Sequence, residues 1–360
     1  MEVLACGQLS HGAQGHAFEQ EFAAFLGPDA HCVCVSSGMA ALHLAYWQLG
    51  LGEGDEVIVA AQTHAATAHA IEYVGARPIF ADCDARTGNI DPDEIESLIS
   101  ARTKALALVH FLGIPCDMEA IMEIASRRGL RVIEDCALAI GARRRGRHVG
   151  LFGDAGAFSF YPAKHLTTGE GGMFVSRNAS LAAKVAKARA FGIDRTFAER
   201  SVPGIYDAPT LGLNYRMSDI NAAIGRKQLE RIDTIIARRR DNFETLRKQV
   251  DGIDSISVIQ ATSSDALSAN YCLSIVLDAD LAGMRSDVIK SLNAAGIGTS
   301  VYYPHPVPRL AYYANKYGYE PSLYPRSGRI SDRSIALPVG PHLTRADMIH
   351  IGTTVANVLS

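Results

Sequence analysis

Residues 31–50, HCVCVSSGMAALHLAYWQLG, decide the architecture. A short apolar run ends at Val35 and breaks into two serines and a glycine. An apolar stretch of helical composition then carries the chain to Gly50. Strand, small polar turn and helix, in that order, open a crossover unit. The alternation continues downstream. After LGEGD comes EVIVA, then the alanine-rich HAATAHAIEYVG, which again stops at glycine. RPIFAD and KALALVHF read as the third and fourth strands, and DMEAIMEIASRRG as an amphipathic helix begun by Asp117. LRVIED and AGAFSFY supply a fifth and a sixth. Strands joined through helices imply an α/β fold with a mostly parallel sheet covered on both faces. Ligands collect beyond the carboxyl ends of such strands. Four groups fall there: Ser36–Gly38, Thr63–His64, Asp135 and Lys164.

The remainder reads differently. From Ser218 a long helical pattern runs through Ile220, Ile224, Leu229, Ile232, Ile236, Phe243, Leu246 and Val250, with its arginine clusters as the solvated face. NYCLSIVLD then predicts a strand, SDVIKSLNAAG a helix, GTSVYY another strand, and a last helix starts near Thr344. The expected organisation is a large unit, residues 1–235 with the N-terminal segment, and a smaller α+β unit, residues 236–360.

Composition excludes several classes. The chain has 360 residues, 48% of them hydrophobic and 20% charged, enough for a large core under a soluble surface. A net charge of −3 gives no basic field for nucleic acid or anionic lipid. The run Arg143, Arg144, Arg145 and Arg147 is short and reads as an exposed turn. Seven cysteines, Cys6, Cys32, Cys34, Cys83, Cys116, Cys136 and Cys272, show no framework spacing. Reduced thiols and a cytoplasmic setting follow. No leader and no long apolar span is evident, so no membrane segment is expected. Cys32 and Cys34 would point to opposite faces of a strand, and no His, Asp or Glu partners stand at ligand spacing near Asp135, so no metal is expected.

Chemistry enters through Lys164. An ammonium in a dry pocket loses hydration, its pKa falls, and the neutral amine can attack a carbonyl to form a Schiff base. Pyridoxal phosphate needs such a lysine, an acid for its pyridinium nitrogen, a phosphate cup and a wall for the ring. Asp135, at the end of an apolar strand, is a carboxylate costly to bury without a partner. Gly38, Met39 and Ala40 open a helix whose free N–H groups favour an anion. Ser159 stands five residues before the lysine, and His64 offers a flat ring. Tyr46 and Trp47 follow helical spacing and read as core, while His110 and His165 read either as facing the site or, at least as well, as satisfied core or rim histidines.

At these residues the chain resembles the DegT/DnrJ sugar aminotransferase family, within the fold type I pyridoxal phosphate enzymes. The resemblance runs through GQLSHGAQGHAFEQEFAAFLG, SSGMAALHLA, VHFLGIPCDMEAI, VIEDCALAIGA, FSFYPAKHLTTGEGGM, LGLNYRMSDINAAIGRKQLERID and GIGTSVYYPHP. It implies a large domain with a mostly parallel sheet of the seven-stranded type beside a smaller α+β C-terminal domain. It also implies a Schiff-base role for Lys164, Asp135 beneath the pyridine nitrogen, and His64 over the ring. Gly38, Met39, Ala40 and Ser159 would hold phosphate, and Asn214 would reach it from a neighbouring subunit, which requires a homodimer with shared sites. Tyr302, Tyr303 and His305 would border the sugar pocket. The implied reaction moves an amino group from an amino acid, usually glutamate, to a keto sugar, usually nucleotide-linked, with the cofactor cycling through its pyridoxamine form. The alternatives are a pyridoxamine-dependent sugar dehydratase, which has histidine in place of the lysine, and a non-catalytic regulator. Two departures stand out. Leu138 replaces a hydrogen-bonding Gln or His, and Met39 replaces a common Thr.

Overall fold

The structure is a computed structural model that describes residues 2–10, 12–194, 202 and 205–359. Its main sheet begins with β1 (His31–Val35), β2 (Glu56–Ala60), β3 (Arg77–Ala81), β4 (Thr103–Val109) and β5 (Arg131–Asp135). A small hairpin, β6 (Arg143–Arg144) and β7 (Arg147–His148), precedes the last two strands, β8 (Ala155–Ser159) and β9 (Gly172–Ser176). The seven strands lie in the order β1-β9-β8-β5-β4-β2-β3. Strands β2, β3, β4, β5 and β8 pair in parallel, as the alternation predicts.

The seven strands match the sheet that the fold type I resemblance implies, and the seventh is the one that no local signature marks. GMFVS was not among the predicted strands, and it runs antiparallel to both β1 and β8. Its two ends explain the oversight. It follows a glycine-rich loop closely, and no helix separates it from β8, so it lacks the crossover signature. Gly172 must be glycine, because a Cβ there would come 2.4 Å from the Ser37 carbonyl carbon.

Alternation along each buried strand divides the core. Val57, Val59, Ala105, Ala107 and Ile133 face a cluster with Leu44, Tyr46 and Ile71. Ile58, Ala60, Leu106, Leu108 and Val132 face the opposite one, with Ile121 and Ile124. Tyr46 is core as expected, and Trp47 packs partly buried beside it. A third cluster joins Phe18, Phe22, Phe158 and Phe160 under the N-terminal helix Ala13–Leu26.

The long helical pattern splits into two helices, Asp219–Leu229 and Ile232–Val250. The break at Glu230 and Arg231 lets Ile232 join the Phe18 cluster while Phe243, Leu246 and Val250 enter a separate core. Ile220 and Ile224 are exposed; Ala222 and Gly225 face inward instead. A Cβ on Gly225 would meet the Phe18 ring at 2.6 Å, so the helix–helix approach selects glycine. Arg239 also departs from the solvated face, because it lies one turn from both Ile235 and Phe243 on the buried stripe.

The second core is closed by β10 (Ile256–Ile259), β12 (Leu273–Leu277), β13 (Ser334–Leu337) and the helices Arg285–Ala294 and Arg345–Leu359. A short β11 (Ala266–Leu267) extends the β6–β7 hairpin. GTSVYY makes a single bridge, Ser300 to Ala336, on the edge of β13 that β12 leaves open, and forms no strand of its own. The two parts are stapled at Asp82, beyond β3. Its carboxylate accepts from the N–H groups of Arg326 and Ser327, at 3.0 and 2.8 Å, at the start of the helix Pro325–Arg333. Among the described residues no helix is long and apolar enough to cross a membrane.

Candidate active site

Lys164 sits in the loop between β8 and β9. Phe160 N–H donates to the Gly171 carbonyl and Thr168 N–H to the Phe160 carbonyl, closing the loop on itself. Lys164 N–H donates to the Tyr161 carbonyl at 2.9 Å, so the backbone carrying the amine is fixed. The side chain is half-buried. Burial pushes the ammonium below its ordinary pKa, and Asp135 opposes that shift.

Asp135 ends β5 on the face of Ile133 and is 7% exposed. Thr67 Oγ1 donates to Oδ2 at 2.8 Å and Ala137 N–H to Oδ1 at 3.0 Å. Thr63 and Thr67 hydroxyls meet at 2.8 Å, which fixes the donor. Thr67 escaped the sequence reading. Its only signal was a threonine one turn into a helix that starts at the end of a parallel strand.

His64 caps the helix Ala65–Tyr73, its Nδ1 accepting from Ala66 N–H at 3.1 Å. The ring faces solvent and stands edge-on to Tyr303, with centroids 5.5 Å apart. Both Tyr302 and Tyr303 lie partly buried against a cluster that contains Phe111, Leu138 and Tyr271. Leu138, where a polar group was expected, is therefore an apolar contact between the two parts of the molecule. His305 is exposed beyond them.

The phosphate turn follows β1. Ser37 caps the helix Gly38–Gln48 by accepting from Ala40 N–H at 3.0 Å. The N–H groups of Gly38 and Met39, in the same first turn, have no intrahelical acceptor. A Cβ on Gly38 would lie 2.9 Å from Ser159 Cβ, so β8 brings Ser159 directly against the turn. Ser159 Oγ accepts from Tyr161 N–H at 3.4 Å and keeps its own hydrogen to donate. Asn214 is exposed and bridges Ala190, and the next carbonyl, Tyr215 O, accepts from Ser36 N–H at 2.8 Å. The turn, Ser159 and the Asn214 segment are thus neighbours although they are distant in sequence.

The two histidines resolve separately. His110 is core: Nδ1 accepts from Cys116 N–H, so Nε2 carries the hydrogen and donates to Glu134 at 3.0 Å. With Cys136 they form a buried trio whose ligand atoms lie within 4.8 Å of one another. The Glu134 carboxylate is already filled by the N–H groups of Gly150, Phe152 and Gly153. His165, also buried, shares a 2.8 Å hydrogen bond between Nε2 and the Ala269 carbonyl oxygen.

The donor set fits pyridoxal phosphate on the structure's own terms. A desolvated amine, a carboxylate held by neutral donors, and a helix N-terminus with a serine against it lie beyond the carboxyl ends of β8, β5 and β1. This sheet and loop define the fold type I class of pyridoxal phosphate enzymes. Comparison extends the assignment. The model of the DegT/DnrJ/EryC1/StrS aminotransferase family matches residues 1–356, and the chain belongs to that family. GDP-perosamine synthase of Escherichia coli O157:H7 is 38% identical over 95% of this chain and 89% of its own. The solved structure of S. venezuelae DesV is 34% identical, with a TM-score of 0.92, over 100% of this chain and 92% of that one. A putative sugar aminotransferase from Streptococcus pneumoniae, Spr1654, solved in its PMP form, is 26% identical with a TM-score of 0.93, over 99% and 94%. The protein is a pyridoxal phosphate-dependent sugar aminotransferase of amino-sugar biosynthesis.

Proposed function

We propose that Lys164 and Asp135 are the catalytic pair, and that the enzyme transfers the amino group of glutamate to a nucleotide-linked keto sugar. The observation that carries this reading is the half-buried Lys164 amine, destabilised as an ammonium by burial, with Asp135 as the carboxylate opposing it. When bound, the cofactor supplies an electron sink that lets a C–H bond beside nitrogen release its proton. Lys164 Nζ would hold the cofactor and, as a free amine, would carry that proton between the two carbons that exchange it. Asp135, held by Thr67 and Ala137, keeps a proton on the pyridine nitrogen. The N–H groups of Gly38 and Met39, with Ser159, would hold the phosphate in a turn that Ala40 N–H closes on Ser37 Oγ, and His64 would cover the ring. Tyr302, Tyr303 and His305 border the sugar. The nucleotide-linked substrate is supported by the name of the GDP-perosamine synthase relative.

A homodimer in the cytoplasm completes the reading, with Asn214 reaching the partner's phosphate. Exposed Leu211 (78%), Tyr73 (72%), Ile220 and Ile224 are apolar surface that such an interface would cover. Residues 1–235 and 236–360 are its two units, meeting across the Tyr302–Tyr303 cluster.

Lys164→Ala tests the reading. Turnover and the visible absorbance of the bound cofactor are both lost, while the melting temperature stays within a few degrees. An alanine variant that keeps turnover overturns it.

A further inference from the structure

Tyr271 lies just before β12, in the second part of the molecule, yet its ring reaches the lysine. Lys164 Nζ is 5.4 Å from the Tyr271 centroid, within the range at which a ring face attracts an ammonium. The segment carrying Tyr271 is pinned from several directions. Tyr271 N–H donates to the Leu112 carbonyl at 3.2 Å, and its own carbonyl accepts from Arg239 Nη1 at 2.9 Å. Ala269 N–H donates to the Gly113 carbonyl, and the Ala269 carbonyl bonds His165, the residue after the lysine. The phenol is fixed as well. Its hydroxyl meets Tyr302 Oη at 3.2 Å, and the Tyr302 carbonyl accepts from Gln62 Nε2 at 3.2 Å. Gln62 Oε1 in turn accepts from Ser331 Oγ at 3.0 Å. This relay runs from the loop after β2 to the ring beside the lysine. Leu138, in the same cluster, offers no polar group to share the task.

We propose that Tyr271 is the positioning residue of the Lys164 amine: its ring face holds the positive charge at Nζ, and the Tyr302 hydroxyl fixes the ring. This rests on Lys164 being the reacting lysine. The charged and titratable groups facing Nζ are Asp135 from β5, His64 from the loop after β2, His165 beside it, and Tyr271, with Arg239 beyond the Tyr271 ring. Asp135 and the ring favour the cation, while burial disfavours it. Removing the ring face therefore makes the positive charge at the Lys164 nitrogen less stable. Tyr271→Phe keeps the face and Tyr271→Leu removes it.

The test is a pH titration of the visible band of the purified holoenzyme, with kcat and KM measured on the same variants. Tyr271→Leu lowers the titration midpoint by about 0.4–1.5 pH units, the range expected when a desolvated cation–π contact is lost. Tyr271→Phe stays within about 0.3 units of the parent, the hydroxyl being one atom removed from the ring face. In Tyr271→Leu kcat falls while KM for the amino donor holds within about twofold, as expected of a contact to the lysine and not to the donor. Should leucine prevent folding, Tyr271→Met, flexible and without a π face, carries the same expectation. A leucine or methionine variant that titrates with the parent overturns the inference and leaves the role of Lys164 intact. A parent enzyme with no visible band overturns the role of Lys164 instead.

Discussion

Glu134 and Asp135 are neighbours at the end of one strand, carry the same charge, and live in opposite environments. Alternation turns Glu134 to the Val132 face and Asp135 to the Ile133 face. On its side Glu134 is sealed, with His110 and three backbone N–H groups filling the carboxylate. Burial alone would raise its pKa, but the His110 hydrogen bond and the backbone donors bring it below the ordinary carboxylate value. Asp135 receives two neutral donors, Thr67 and Ala137, and stays slightly open toward Lys164. One carboxylate is finished by the fold; the other keeps capacity for a ligand. The number of donors, and not burial, separates structure from chemistry here.

Breaking the pair one member at a time tests this. Asp135→Asn costs about 10²–10³-fold in kcat, as expected when a preorganised charge at the reacting group is removed. Its unfolding free energy stays within about 1 kcal/mol of the parent, because the amide oxygen keeps the Ala137 N–H and the amide nitrogen donates to Thr67 Oγ1, while Lys164, having lost its charge partner, sheds a proton. A stable and fully active Asp135→Asn enzyme would sink the assignment. Glu134→Gln reverses the pattern. An amide cannot accept from all the donors around it, so denaturant unfolding should show a loss of about 3 kcal/mol or more with kcat retained in what folds.

Acid sharpens the same contrast. The folded pKa of Glu134 lies below its unfolded value, so its contribution is fully present above about pH 4.3 and is lost as pH falls through the folded value. Below that point, unfolding stability of the parent drops more steeply with pH than that of Glu134→Gln; parallel curves would refute the point. The smallest effect belongs to Thr67→Val, which removes one neutral donor from Asp135. About 1 kcal/mol, or roughly fivefold in kcat/KM, is expected.

Much of this was legible in the sequence. Six strands of the main sheet are marked as apolar runs, the turn at Gly38 adds a small polar break and a helix, and Asp135 and Lys164 are marked by standing at or just after such runs. What escaped were features without a local period. β9 lacks a helix before it, and the helix break at Arg231 serves two cores that meet only in three dimensions. Thr67 and Tyr271 act on Asp135 and Lys164 across long stretches of chain, so no window of sequence contains both partners. Arg239 was misread for the same reason: beside Arg238 and Arg240 it looked solvated, and only Tyr271 gives it a place inside.

Asp82 gives the molecule a seam. The carboxylate fastens the first turn of the helix Pro325–Arg333 to the end of β3, and the helix Ile232–Val250 spans the two cores by continuous backbone. A door held on two sides does not swing. Substrate entry should therefore depend on loops at the rim, and the amides of Arg326 and Ser327 should exchange with solvent equally slowly before and after substrate is added. Faster exchange at those two amides during turnover would show the seam opening.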